Sequence, residues 1–198
     1  AAGALVMPPV NRLNWSAFAY TGLDIEDALT ALNTTYPGQA LTADVDLVLT
    51  GGVALDVLSG TLVAKGDFEI ALGEVQSAAL PSGDSADADV MVLTLSEASM
   101  WVGVGGELTD VGGDGDFAND TVAPGTLGFQ ATVSALTLVS IKDRGASELL
   151  ATDDVTYLGV ALDDFDGDLV GFEALLEFHA FDVDALLNKV AAGALVMP

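Results

Sequence analysis

Apolar and polar residues alternate with a period of two over most of this chain, the rhythm of β-strands with one apolar face. In GDFEIALGEV, Phe68, Ile70 and Leu72 alternate with Glu69, Ala71 and Gly73. In LGFQATVSA, Phe129, Ala131 and Val133 alternate with Gln130, Thr132 and Ser134, and DVDLVLT from Asp44 repeats the pattern. VMVLTL, Val90 to Leu95, is apolar at both parities and predicts a central strand covered on both faces. NWSAFAY from Asn14, SMWVGVG from Ser99, TYLGVAL from Thr156 and ALLEFHA from Ala174 are further strand candidates.

One stretch departs from this rhythm. LDIEDALTALN places Ile25, Ala28, Leu29 and Leu32 at helical spacing, with Asp24 as N-cap and Tyr36-Pro37-Gly38 as the stop. DVDALLNKV fits both periods and is read as a strand. The acidic, Gly-rich stretches LPSGDSADAD (80–89) and DVGGDGDFANDTVAPG (110–125) read as loops, and neither looks like a linker between domains. The expected fold class is all-β with one short helix, arranged as a β-sandwich or a β-solenoid-like repeat unit.

A second regularity has a far longer period. AAGALVMP fills residues 1–8 and again residues 191–198, an offset of 191 − 1 = 190. Solenoid repeats have periods of about 20–50 residues, so this is a repeat of domain size. The expected organisation is one β-rich unit over 1–190 followed by the start of the next over 191–198. Two arrangements fit: covalent tandem copies, or separate subunits that polymerise. In either, Ala4, Leu5, Val6, Met7 and Pro8, with Ala194, Leu195, Val196, Met197 and Pro198, are the expected assembly junction. The small residues allow close approach, Leu-Val-Met offers an apolar strand and Pro ends it.

Composition narrows the partners. Half of the 198 residues are hydrophobic, yet 30 Asp and Glu face five Lys and Arg, for a formal net charge of −25. The apolar share argues for a packed fold rather than disorder. The charge repels itself unless salt screens it or cations bind it, which points to a saline or calcium-containing medium, a signature that cytosolic proteins of salt-accumulating cells share. Arg12, Lys65, Lys142, Arg144 and Lys189 are scattered, so the basic cluster that nucleic acid or an anionic membrane requires is not formed. No apolar run approaches the roughly 20 residues of a membrane-spanning helix. The start, lacking a basic leading region, is not read as a signal peptide. The chain has no Cys, which removes disulfides and thiolate chemistry.

LVGFEALLEFHAFDVDALLNK, Leu169 to Lys189, resembles a recurring phrase in the tandem β-rich repeats of giant bacterial secreted and surface proteins, where an LVGI-x-G-L opening leads to a strand ending in Asn, here Asn188. LSGTLVAKGDFEIALGEV, Leu58 to Val75, is similar to the SG-x-L and G-x-F strand pairs of those repeats. NWSAF, Asn14 to Phe18, looks like the segment that follows the Asn-ended strand. The resemblance touches about a third of the chain. It implies an adhesive or structural role, with no catalytic residues to carry over.

Candidate chemistry is sparse. DDFDGD sets Asp164, Asp166 and Asp168 at alternate positions around Gly167, and DVGGDGDFAND offers Asp110, Asp114, Asp116 and Asp120. Calcium takes several oxygen ligands, and alternating Asp in a turn supplies them; the alternative is a pair of solvated acidic turns. Calcium is therefore the one cofactor the residues suggest. His179 is the single histidine, which leaves neither a zinc set nor a Ser-His-Asp triad within reach, and the chain is not expected to be an enzyme. Lys65 either snorkels from a sheet edge or points inward towards an isopeptide bond. Trp15 and Trp101 either pack in a core or stack on sugars. Asn14, Asn33 and Asn119 begin N-x-S/T sequons. The expected function is a structural repeat unit of an extracellular filament or giant surface protein whose partner is a further copy of itself. The alternative is a calcium-dependent adhesin or carbohydrate-binding module with a glycan or surface ligand.

Overall fold

The computed structural model describes residues 12–34, 40–76, 80, 87–143 and 154–192. The chain divides into two compact units, Ala1–Asp46 and Leu47–Pro198.

The first unit holds a 3-10 turn, Trp15–Ala17, and a helix α1, Glu26–Thr34. The expected strand at NWSAFAY is not formed. Asn14 Oδ1 instead accepts from Ala17 N (3.2 Å) and from Ser16 Oγ (2.6 Å), so a local side-chain cap wins over extension. The helix forms where its period predicts, and Asp24 Oδ1 accepts from Glu26 N at 3.1 Å at its start. Asn33 Nδ2 donates to Leu29 O and Trp15 O, tying helix to turn. Arg12 bridges Asp46 at 2.7 Å.

The second unit is all-β, as the alternation predicts. Strands β1 (Val45–Val57), β2 (Leu62–Gln76), β3 (Asp87–Val104), β6 (Leu127–Asp143), β7 (Val155–Val170) and β8 (His179–Ala192) form one antiparallel sheet in the order β1-β2-β3-β6-β7-β8. The second sheet is a ribbon of two short strands, β4 (Glu107–Thr109) and β5 (Thr121–Ala123), lying against β2 and β3. DVDALLNKV is strand, inside β8. ALLEFHA is strand only from His179; before it, Gly171 takes φ +84° and Phe172 O accepts from Leu175 N and Leu176 N, closing a turn.

Register stacks the alternating apolar residues into rows. Phe68, Leu95, Leu136 and Leu162 stand opposite one another, as do Ile70, Leu93, Leu138, Val160 and Leu187. The central strand was expected to be covered on both faces. VMVLTL is central, between β2 and β6, but its residues are half-buried and Met91 is 40% exposed. Among the described residues the buried apolar ones are Val63, Ala88, Trp101 and Ala131.

The long strands are creased near their middle. Glu97 in β3, Asp164 in β7 and Asp182 in β8 take φ of +49°, +53° and +50°, and β2 shifts register around Gly66. The β3–β6 ladder pairs Ser96 with Ala135 and then Ala98 with Val133, stepping over Glu97 and Ser134. Leu95 with Ala98, Leu136 with Val133 and Leu162 with Phe165 all line one apolar cavity of about 500 Å³. Residues three apart on a flat strand face opposite ways, so the facing of side chains switches at the crease. Gly66 sits on that line, where a Cβ would come within 2.9 Å of the Ala98 Cβ. No described helix is long and apolar enough to cross a membrane.

Candidate functional site

On the face opposite the apolar cavity, a cross-strand row runs through Val63, Trp101, Gln130, Asp168 and His179. Trp101 is fully buried against glycines. Gln130 Nε2 donates to Asp168 Oδ2 at 2.9 Å, and His179 Nδ1 meets Asp168 Oδ1 at 2.5 Å. The Gln130 hydrogen bond, followed by the bond and charge of His179, holds the Asp168 carboxyl below the usual range and outweighs its partial desolvation. A carboxylate whose pKa is depressed on folding stabilises the fold above its unfolded value of about 3.9, and that contribution disappears as pH falls through the lower folded value. Gln130→Ala is therefore expected to raise the Asp168 titration midpoint in carboxyl-detected NMR, as is His179→Ala. An unchanged midpoint in Gln130→Ala would remove Gln130 as the largest single cause.

The next acids along β7 behave differently from expectation. DDFDGD is not a turn: Asp164, Asp166 and Asp168 lie within β7, because register with β6 and β8 prevails over the turn preference of Asp and Gly. The strain of that choice falls on Asp164, which adopts the left-handed region at the crease. Asp164 Oδ2 accepts from Ser134 Oγ (2.8 Å), Asp164 N donates to Asp184 Oδ1 (3.0 Å), and Asp182 N donates to Asp166 Oδ1 (3.0 Å). Carboxylate oxygens of Asp164, Asp166 and Asp182 lie within 4.8 Å of one another. Asp168 is turned to Gln130 and His179 instead, and Asp182, from the neighbouring strand, takes the third place. Asp164→Asn keeps a side chain that tolerates positive φ and removes one of three like charges. It is expected to raise the melting temperature by about 1–3 °C at low salt, and by less at 1 M salt where screening is short-ranged. A lowered melting temperature at low salt would show that the trio is not repulsive.

Within the 110–120 loop, Asp110, Asp114 and Asp116 cap the loop's own backbone. Asp110 accepts from Asp114 N and Gly115 N, Asp114 from Asp116 N and Asn119 Nδ2, and Asp116 from Ala118 N. Its carboxylates do not form a cluster of three like that of Asp164, Asp166 and Asp182. Asp120 is 5% exposed and its Oδ1 has no hydrogen-bond partner among the described residues. Lys65 reaches this loop, its Nζ donating to Ala118 O (2.6 Å) and Asp120 O (2.7 Å). The ammonium thus serves as a fixed cation that clasps loop carbonyls to the sheet.

Exposed apolar side chains also line the outer strands. Among the described residues, β1 and β8 each pair on one side only. Every residue from 181 to 191 is exposed, including Phe181 (72%), Leu186 (88%) and Val190 (61%), while β1 exposes Leu47, Leu49, Val53 and Leu55. Natural sheets shorten, charge or cover such edges because they template pairing with another chain. The expected junction residues Ala4, Leu5, Val6, Met7 and Pro8, and Ala194, Leu195, Val196, Met197 and Pro198, lie outside the described residues. The repeated octapeptide enters the described fold only through Ala191 and Ala192, which end β8 opposite Thr156 and Val155.

No family model, curated protein or solved structure matches this chain.

Proposed function

We propose that this chain is a structural unit of an extracellular or cell-surface filament, and that it extends its sheet from copy to copy through its outer strands. The observation that carries this reading is the pair of long outer strands, 13 residues in β1 and 14 in β8, each with one side unpaired among the described residues and rich in exposed apolar side chains. The two edges are different surfaces. Joining one to the other is a heterologous contact, which generates rings or open filaments rather than closed dimers. The octapeptide shared by 1–8 and 191–198 supports covalent tandem copies as the form of the array. A net charge of −25 per copy opposes the contact, so assembly requires screening by salt or cations.

Sedimentation and negative-stain electron microscopy at millimolar protein test this reading. Concentration-dependent oligomers that lengthen as salt rises are expected. A monomer at every protein and salt concentration would overturn the proposal.

A further inference from the structure

We propose that the apolar cavity of the six-stranded sheet binds one linear hydrocarbon chain, the tail of a long-chain lipid whose head is not anionic. This goes beyond the filament reading, and binding does not require assembly. The cavity has a volume of about 500 Å³ and is lined from five of the six strands, β1, β2, β3, β6 and β7. The small residues Ala64, Gly66, Ala98 and Ala131 leave the space, and Leu55, Leu95, Leu136, Leu162 and Phe165 supply apolar walls.

The lining is almost without polarity. In a chain of net charge −25, no carboxylate lines this cavity. Its polar members, Lys65, Ser99 and Thr132, are cross-strand partners two positions from Val63, Trp101 and Gln130. Side chains of that parity take the opposite face. Lys65 accordingly carries its ammonium to Ala118 O and Asp120 O. The β4–β5 ribbon is on that opposite face too, where Val122 and Pro124 share a small pocket with Trp101 and Gln130. On the cavity side the described residues of this unit form no second layer, because the long strands contact only one another and the ribbon.

The dimensions select a chain. Five adjacent strands ~4.8 Å apart set a length of about 19 Å. Volume divided by that length gives a mean cross-section on the order of 25 Å², or about 5–6 Å across. Carbon atoms pack at ~3.5–4.0 Å, so one methylene chain fills this width. An α-helix with its side chains, ~10–12 Å across, does not enter. An apolar cavity of ~150 Å³ takes the six carbons of benzene, so about 500 Å³ takes roughly 20 carbons. Empty, such a cavity stays dry and its walls forfeit dispersion contacts that an apolar guest restores. With no free ammonium to receive it, an anionic head would meet only the negative field of the molecule.

The full chain at micromolar concentration is titrated with the uncharged fluorescent probe N-phenyl-1-naphthylamine, which is then displaced by 1-alkanols of increasing length. One probe site per chain is expected, with displacement strengthening about fourfold per added methylene and levelling off near 15–20 carbons, when the cavity is full. At low salt, hexadecanoate is expected to compete at least several-fold less well than hexadecanol. Ala98→Leu fills the cavity and is expected to weaken probe binding at least tenfold with unchanged circular dichroism. Val53→Gln with Leu55→Gln, at positions 50% and 42% exposed, removes the β1 end without touching the buried residues. This pair is expected to shorten the chain length at which displacement levels off by about one strand spacing, ~4.8 Å. Leu175→Ser, 89% exposed and outside the cavity, is expected to change nothing. Absence of probe binding, displacement indifferent to chain length, or an equal loss in Leu175→Ser would overturn the site. Tighter binding of hexadecanoate than of hexadecanol would overturn the head assignment. Every readout is made on single chains, so a chain that binds the alkanols yet never associates would overturn the filament reading alone.

Discussion

Trp101→Ala is expected to lower the unfolding free energy by about 3–5 kcal/mol, the range for removing a large aromatic from a core. Typical domains are stable by only about 5–15 kcal/mol, so the variant is expected to populate unfolded chains at ambient temperature. Trp101 is fully buried, and the other buried apolar residues described are the smaller Val63, Ala88 and Ala131. Its ring lies against Gly103, Gly106 and Gly128, where a Cβ would come within 2.7, 2.0 and 2.8 Å of it. Backbone walls of this kind cannot collapse into the space the indole leaves. The indole N–H is itself buried without a hydrogen-bond partner among the described residues, which carries a penalty of about 1–3 kcal/mol. Trp101→Phe removes that group along with part of the volume and is expected to cost less than half as much as Trp101→Ala. Guanidinium denaturation followed by circular dichroism measures both. A midpoint for Trp101→Ala equal to that of the parent chain would show that Trp101 does not anchor the sheet.

Trp101 also illustrates what the residues disclose on their own. Period two is a direct consequence of the pleat, so GDFEIALGEV, LGFQATVSA and DVDLVLT announce strands without reference to anything distant. The helix over 26–34 is equally local, as its apolar spacing and the preceding Asp24 are adjacent in sequence. NWSAFAY misleads because Asn14 satisfies the backbone of Ala17 from its side chain, an alternative that alternation does not register. DDFDGD misleads in the other direction: its turn preference is real, but paired strands on both sides of β7 hold it extended. The acidic trio is half legible, since Asp164 and Asp166 lie close in sequence while Asp182 joins from β8 only once register is set. The Lys65 clasp, spanning 53 and 55 residues, has no local signal. The crease is hidden for the same reason. It rests on left-handed residues such as Glu97 and Asp182 whose neighbours in sequence give no hint of a bend.

Leu186→Lys with Leu187→Lys is expected to abolish assembly while leaving the folded unit intact. The two positions are 88% and 51% exposed, so burial lost within one copy is small, and exposed substitutions of this kind usually change stability by no more than about 0.5 kcal/mol. At the junction the same side chains are central. Lysine on an edge strand is the device by which natural sheets prevent pairing, because joining the edge desolvates the ammonium beside another backbone. Two effects then compete with opposite signs. Two added positive charges reduce the net charge from −25 to −23 and ease repulsion between copies, which alone favours association. Blocking the edge disfavours it. Long-range repulsion is screened beyond about 3 Å at 1 M salt, whereas the edge penalty acts at contact. In 1 M salt the parent chain is therefore expected to form oligomers in sedimentation velocity and the double variant to remain monomeric with an unchanged melting temperature. Oligomers of the double variant as large as those of the parent would show that copies meet through some surface other than β8.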